Sequence, residues 1–155
     1  MIDWTESERP WLELFDAALR ARDEGRFEEA LRDLQRIVYS IGDHESRLAA
    51  HCNIQIGAIY KSRQDYREAE RVFRAATHRA PRLELASLNL YHALDHLGRQ
   101  KDALKEIIRF VSGNDSTAYR SLLSEGFADD LPVDQRQLVE FARRCLARFV
   151  APSQS

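Results

Sequence analysis

The chain has 155 residues, 31% of them charged and 44% hydrophobic, with six glycines, four prolines and a formal net charge of −2 at pH 7. That length suits one domain with a real core, and that balance suits a soluble, mostly helical protein. Acidic and basic residues interleave, so no global field exists to recruit nucleic acid or an anionic membrane.

Every basic residue other than Lys61, Lys101 and Lys105 is arginine, which reads as compositional bias ahead of a phosphate-binding signal. Cys52 and Cys145 lie far apart inside helical apolar patterns, with no C-x-x-C between them. They are expected to be small buried hydrophobes in a reducing compartment. The N-terminal stretch MIDWTESERPWLEL is acidic and lacks the basic start and apolar run of a signal peptide. No apolar run approaches membrane-spanning length, and the expected location is the cytoplasm.

In chain order, Trp4 and Trp11 come first. They either staple the first helix to the rest of the chain or stand exposed as a partner contact. The segment GRFEEALRDL follows at 25–34, then QDYREAERVF at 64–73 and GRQKDALKEI at 98–107. Each places an acidic residue before an alanine (Ala30, Ala69, Ala103) and a larger apolar residue four positions on (Leu34, Phe73, Ile107). The alanines are 39 and then 34 residues apart, and such self-similarity marks a repeat array.

Each unit reads as two helices. In the second unit Cys52, Ile56, Ile59 and Tyr60 form one stripe. After a turn at Ser62–Asp65, residues Tyr66, Ala69, Phe73 and Ala76 form the next. Spacings of three and four keep these side chains on one helical face, which a strand of period two could not do. Glu70 and Arg74 add a favourable i,i+4 pair of about 0.2–0.5 kcal/mol. The units are expected at about 11–43, 45–82 and 84–115, with the first helix of the second unit starting near Asp43 or Glu45 and ending near Ser62. Beyond them, helices are expected at about 116–124 and 134–150. The last would start at a capping box, Asp134 with Gln137, and bury Leu138, Phe141, Cys145, Leu146 and Phe149 as an end cap.

In the second unit, Ile56-Gly57-x2-Tyr60, then Ala69-x3-Phe73, then Pro81 resemble the tetratricopeptide repeat pattern. Gly57 and Ala69 are small where two antiparallel helices approach, and Pro81 ends the helix before it. The other units depart from the pattern. The first has Ala18 and Ala21 at the glycine and tyrosine slots and Gly42 for the proline. The third puts bulky Tyr91 at the small slot and Gln100 at the Phe27 and Tyr66 slot, so its helices are expected to pack more loosely or at another angle. The extra residues before Cys52 resemble the longer-helix variant in Rap-type bacterial regulators.

The resemblance implies an all-α, right-handed solenoid of three stacked helix-turn-helix units closed by a C-terminal helix. It also implies a concave face, built from the first helix of each unit, that holds a peptide or helix of another protein. Carried onto this chain, that face comprises Leu12, Phe15, Leu19 and Arg22; His51, Ile54, Gln55, Ala58 and Lys61; and Leu85, Leu88, Asn89, His92 and Asp95. Some family members grip a carboxylate with Lys and Asn. Here those slots hold Phe15, Leu19, Leu88 and His92, which favours an apolar or amphipathic segment over a charged chain end.

Chemistry finds little support. His92 and His96 have a spacing that can hold a divalent metal, with Asp95 beside them, but no third ligand follows in a recognised motif. No nucleophile elbow, P-loop or dinucleotide fingerprint is present. The expectation is a non-enzymatic protein-interaction module, an adaptor or scaffold without catalytic residues, metal or cofactor. The alternative is a dedicated chaperone of a secreted protein, similar to type III secretion translocator chaperones, or an immunity-type protein that masks a toxin. A nucleic-acid-binding regulator fits less well, and a homo-oligomer that covers the groove stays open.

Overall fold

A computed structural model describes residues 2–150, and among them every regular element is helical. After a 3-10 turn at Arg9–Trp11 come α1 (Leu12–Asp23), α2 (Phe27–Ile41), α3 (Arg47–Ser62), α4 (Tyr66–Arg79), α5 (Glu84–His96), α6 (Gln100–Val111), α7 (Thr117–Leu122) and α8 (Val133–Ala147). Consecutive helices pack on each other from α1 to α6, and α8 packs on α6. In addition α3 touches both α1 and α5, so α1, α3 and α5 lie side by side as one layer. No described helix is long and apolar enough to cross a membrane.

One turn is used three times. Gly25, Gln64 and Gly98 stand five residues before Ala30, Ala69 and Ala103, and all three have left-handed backbone, with φ of 79°, 60° and 72°. The next residue's amide reaches back across the end of the first helix in each case. Arg26 N–H donates to Ala21 at 2.8 Å, Asp65 N–H to Tyr60 at 3.0 Å, and Arg99 N–H to Leu94 at 2.9 Å. These bonds satisfy carbonyls that a helix end leaves open, and the left-handed residue makes them possible. Glycine suits that position; Gln64 carries a Cβ there and is strained.

The helices of the second hairpin leave no room for a side chain at Gly57. A Cβ built there would lie 2.6 Å from Cδ1 and 2.7 Å from Cζ of Phe73, and closer still to Cε1. Phe73 therefore lies flat against backbone, and Ala69 and Ala76 are buried beside it on the same helix. At the equivalent place in the third hairpin, Tyr91 is buried and meets Tyr119 of α7 edge-on at 6.2 Å. The Tyr119 hydroxyl shares a 2.7 Å hydrogen bond with Ser87 of α5. The bulk that breaks the repeat pattern is thus taken up by α7, which adds its own aromatic to the core of α5 and α6.

Three expectations are corrected. Helix α3 starts at Arg47, later than Asp43 or Glu45, because Ser46 caps it by accepting from the Ala49 amide. Helix α8 begins at Val133 with Pro132 at its N-cap and no side-chain cap. The capping box is therefore absent, and Asp134 instead pairs with Lys101 of α6 at 3.3 Å. The buried face of α8 is also rotated, to Val139, Ala142, Cys145 and Leu146, leaving Phe141 and Phe149 exposed. Close approach to α6 favours the small Ala142 over a phenylalanine ring. Both cysteines are buried and free, and burial pushes the Cys52 thiol up to about 12.

Two stability outcomes follow. Replacing Gly57 with Val should destabilise the fold by about 1–3 kcal/mol through overpacking. Much of that loss should disappear in a Phe73→Leu background, as measured by urea unfolding of the four-member cycle. Gln64→Gly should stabilise the protein by about 1 kcal/mol, because glycine adopts the left-handed backbone without steric cost. A decrease in its unfolding midpoint would contradict the strained-turn assignment.

Candidate protein-interaction face

The residues expected on one face come from α1, α3 and α5, the three helices of the layer just described. Between α1 and α3, an Arg22 Nη donates to Gln55 Oε1, while Nε and the other Nη hold Asp23 at 3.0 and 2.7 Å. Between α3 and α5, the Lys61 ammonium lies close enough to disfavour protonation of His92. Leu12, Phe15, Leu19 and Leu88 are half-buried, and Leu85 is 46% exposed. Ala58, Lys61, His92 and Asp95 are exposed. Asn89 turns its amide back to the Leu85 carbonyl at 2.8 Å. Ile54 is the exception: at 4% exposure it is enclosed with Ala50, Ala76 and Ala86 where α3, α4 and α5 meet. It supports the face from behind and offers nothing to a ligand.

His51 sits at one edge of this face, covered by the N-terminal segment. The Trp4 ring meets it edge-on at 6.3 Å. Its Nε2 is enclosed and has no hydrogen-bond partner among the described residues. Burial, reinforced by Arg47 and opposed by Glu8, lowers the imidazole pKa. His92 is also lowered, by burial and then by Lys61, against the pull of Asp95. Both shifts disfavour the charged imidazole; of the two rings it is His92 that is exposed on the face.

The residue that organises the covering segment is Glu8, only 2% exposed. One carboxylate oxygen accepts from the Thr5 amide at 2.8 Å. The other accepts from the Ser46 hydroxyl at 2.8 Å and the Leu48 amide at 3.0 Å, in the first turn of α3. An anion there also meets the positive end of the helix dipole. Burial opposes ionisation of Glu8, but these hydrogen bonds outweigh it and hold the carboxyl below its ordinary value. Sequence reading missed this role. The Thr5-x-x-Glu8 spacing before an apolar run was the available signal for a helix start; the contact with Ser46 and Leu48 left none. Trp4 and Trp11 pack against the core of α1, α2 and α3, which favours the staple among their two expected roles.

His96 stacks on Tyr66 at 4.4 Å, whereas His92 meets the edge of Tyr91 at 5.1 Å. Among the described residues no three His, Cys, Asp or Glu side chains gather as a metal ion would require. The face can make apolar contacts and neutral or charged hydrogen bonds.

Glu8→Ala should cost about 1–3 kcal/mol, since the Leu48 amide and Ser46 hydroxyl lose their acceptor. The pH dependence carries a sign. A lowered folded-state pKa contributes stability that is full above the unfolded value of about 4.5 and is lost as pH falls through the folded value. Chemical unfolding from neutral to acid pH should therefore show a steeper acid loss in the wild type than in Glu8→Ala. Parallel profiles would contradict the buried-carboxylate anchor.

Compared with known proteins, the chain matches no protein-family model, and no curated protein is similar to it.

Proposed function

We propose that the chain is a tetratricopeptide-type right-handed solenoid that works as a non-enzymatic interaction module. It binds an apolar or amphipathic segment of a partner protein on the face of α1, α3 and α5. The observation that carries this reading is the side-by-side layer of those helices, bridged by Arg22 and Gln55. The layer carries half-buried Leu12, Phe15 and Leu19 on α1 and Leu88 on α5, with α3 between the two helices. The threefold recurrence of one left-handed turn supports the repeat reading independently of side-chain pattern.

The chemistry of the face indicates how a partner would be recognised. Apolar anchors from the partner would settle among Leu12, Phe15, Leu19, Leu85 and Leu88, as in helix-in-groove recognition. Arg22, Lys61 and Asp95 would set its direction through charge at the rim, where such pairs affect specificity more than affinity. An adaptor would have several partners on this face; a dedicated chaperone or immunity protein would have one, in a tight equimolar complex.

The test uses Leu85→Glu, since that side chain is exposed and its replacement leaves the core intact. Partners isolated from native lysate by the wild type should be lost from Leu85→Glu, with affinity lowered tenfold or more, about 1.4 kcal/mol. The unfolding midpoint should not change. Tyr39→Glu, on the exposed flank of α2, should retain them. Retention by Leu85→Glu and loss from Tyr39→Glu would move the binding site to the other side of the molecule.

A further inference from the structure

Helix α8 closes the stack, and the outer face of a terminal helix is ordinarily polar. Here it is not. Of the seven large apolar side chains most exposed among the described residues, four lie on α8 or the turn after it: Val133 at 61%, Phe141 at 46%, Phe149 at 41% and Val150 at 58%. The inner face is already satisfied by Val139, Ala142, Cys145 and Leu146, which pack on α6 and its neighbours. A shallow cleft of about 390 Å³ beside Phe141, bounded by Ser112, Arg144, Cys145 and Arg148, extends the apolar strip.

The charges around this strip are ordered. Asp134, Gln137, Phe141, Arg144 and Arg148 follow spacings of three and four, and all five are exposed. Seven residues are nearly two full turns, so Asp134, Phe141 and Arg148 share one line along the helix. Asp134 stands seven positions before Phe141 and Arg148 seven after, whereas Val133 and Phe149, eight away, fall about 80° to either side of that line. The strip is therefore complementary to itself when reversed. Existing contacts leave its charges capacity to spare. Among the described residues Asp134 meets Lys101 through Oδ2 alone, at 3.3 Å, and Arg148 makes only long bonds of 3.3 and 3.5 Å to the carbonyls of Ser112 and Cys145.

We propose that α8 is a homodimer interface in which two copies pack their last helices antiparallel about a two-fold axis beside Phe141. The two Phe141 rings meet at the axis. Asp134 pairs with Arg148 of the partner subunit, a contact that occurs twice as an isologous interface requires, while Val133 and Phe149 extend the apolar surface on its flanks. Antiparallel alignment also sets the helix dipoles in the favourable sense. The guanidinium of Arg144, 5.9 Å over the Phe141 ring, flanks the axis and shields the aromatic pair. None of these residues belongs to the face on α1, α3 and α5, so dimerisation and partner binding are separable.

Analytical ultracentrifugation of the full chain, from micromolar to submillimolar concentration, tests this. The wild type should show a reversible monomer–dimer equilibrium. Phe141→Asp should be monomeric throughout, with the melting temperature of the wild type at concentrations too dilute to dimerise. Asp134→Arg and Arg148→Asp should each weaken the dimer tenfold or more, and the double variant Asp134→Arg/Arg148→Asp should recover most of it. That recovery does not depend on whether Phe141→Asp folds. A wild type that stays monomeric at every concentration, a dimer that survives Phe141→Asp, or a double variant as weak as the singles would each overturn the proposal.

Discussion

The missing side chain at Gly57 is the constraint on which the centre of the molecule depends. Because the Phe73 ring lies where a Cβ would be, α3 and α4 approach more closely than any side chain at position 57 would allow, and interaxial distance is set by the side chains at the contact. That closeness brings Phe73 into the core with Leu90 and Leu94 of the next helix. It also allows Tyr60, from the same stripe as Gly57, to touch the cores on both sides. One contact thus fixes the spacing within a hairpin and the bridge between hairpins.

A second set of interactions holds successive connections together, and arginine supplies it. Arg79, at the end of α4, donates to the carbonyls of Gly42 and His44 in the loop between α2 and α3. Arg109 in α6 donates to the Pro81 carbonyl in the next such loop at 3.1 Å while holding the buried Glu106 carboxylate. Near the C-terminus Arg120 reaches the Leu146 carbonyl at 2.7 Å, and Arg143 reaches Leu123 and Ser124 at 2.9 and 3.0 Å. A guanidinium can serve several acceptors in a fixed fork, whereas an ammonium cannot do so with the same geometry. The arginine excess therefore has structural work to do at the element ends, beyond any compositional bias.

Much of the helical order was legible because it rests on local chemistry. The recurring Gly25, Gln64 and Gly98 segments marked the turns, and Ala30, Ala69 and Ala103 marked the buried sides of the helices that follow. What escaped depends on partners distant in sequence. Phe141 and Phe149 fit an apolar period as well as Val139 and Ala142 do; only the nearness of α6 selects the smaller pair. Glu8 looked like one acid in an acidic tail, and its partners Ser46 and Leu48 lie 38 and 40 residues away. Arginines that serve backbone carbonyls leave no pattern, since every residue offers that acceptor. On the proposed interaction face, Leu85 and Leu88 were identifiable by helical spacing, whereas the loss of Ile54 to the core required knowing how α4 and α5 close behind α3.

The central claim is that the layer of α1, α3 and α5 is where another protein is held. Site-specific photocrosslinking in the cells that make the protein addresses it most directly, with a benzophenone side chain placed in turn at Leu19, Leu85 and Tyr39. Adducts to the same partner from positions 19 and 85, and none from 39, are the predicted result. Adducts from position 39 alone would contradict the account and place recognition on the α2 side of the fold.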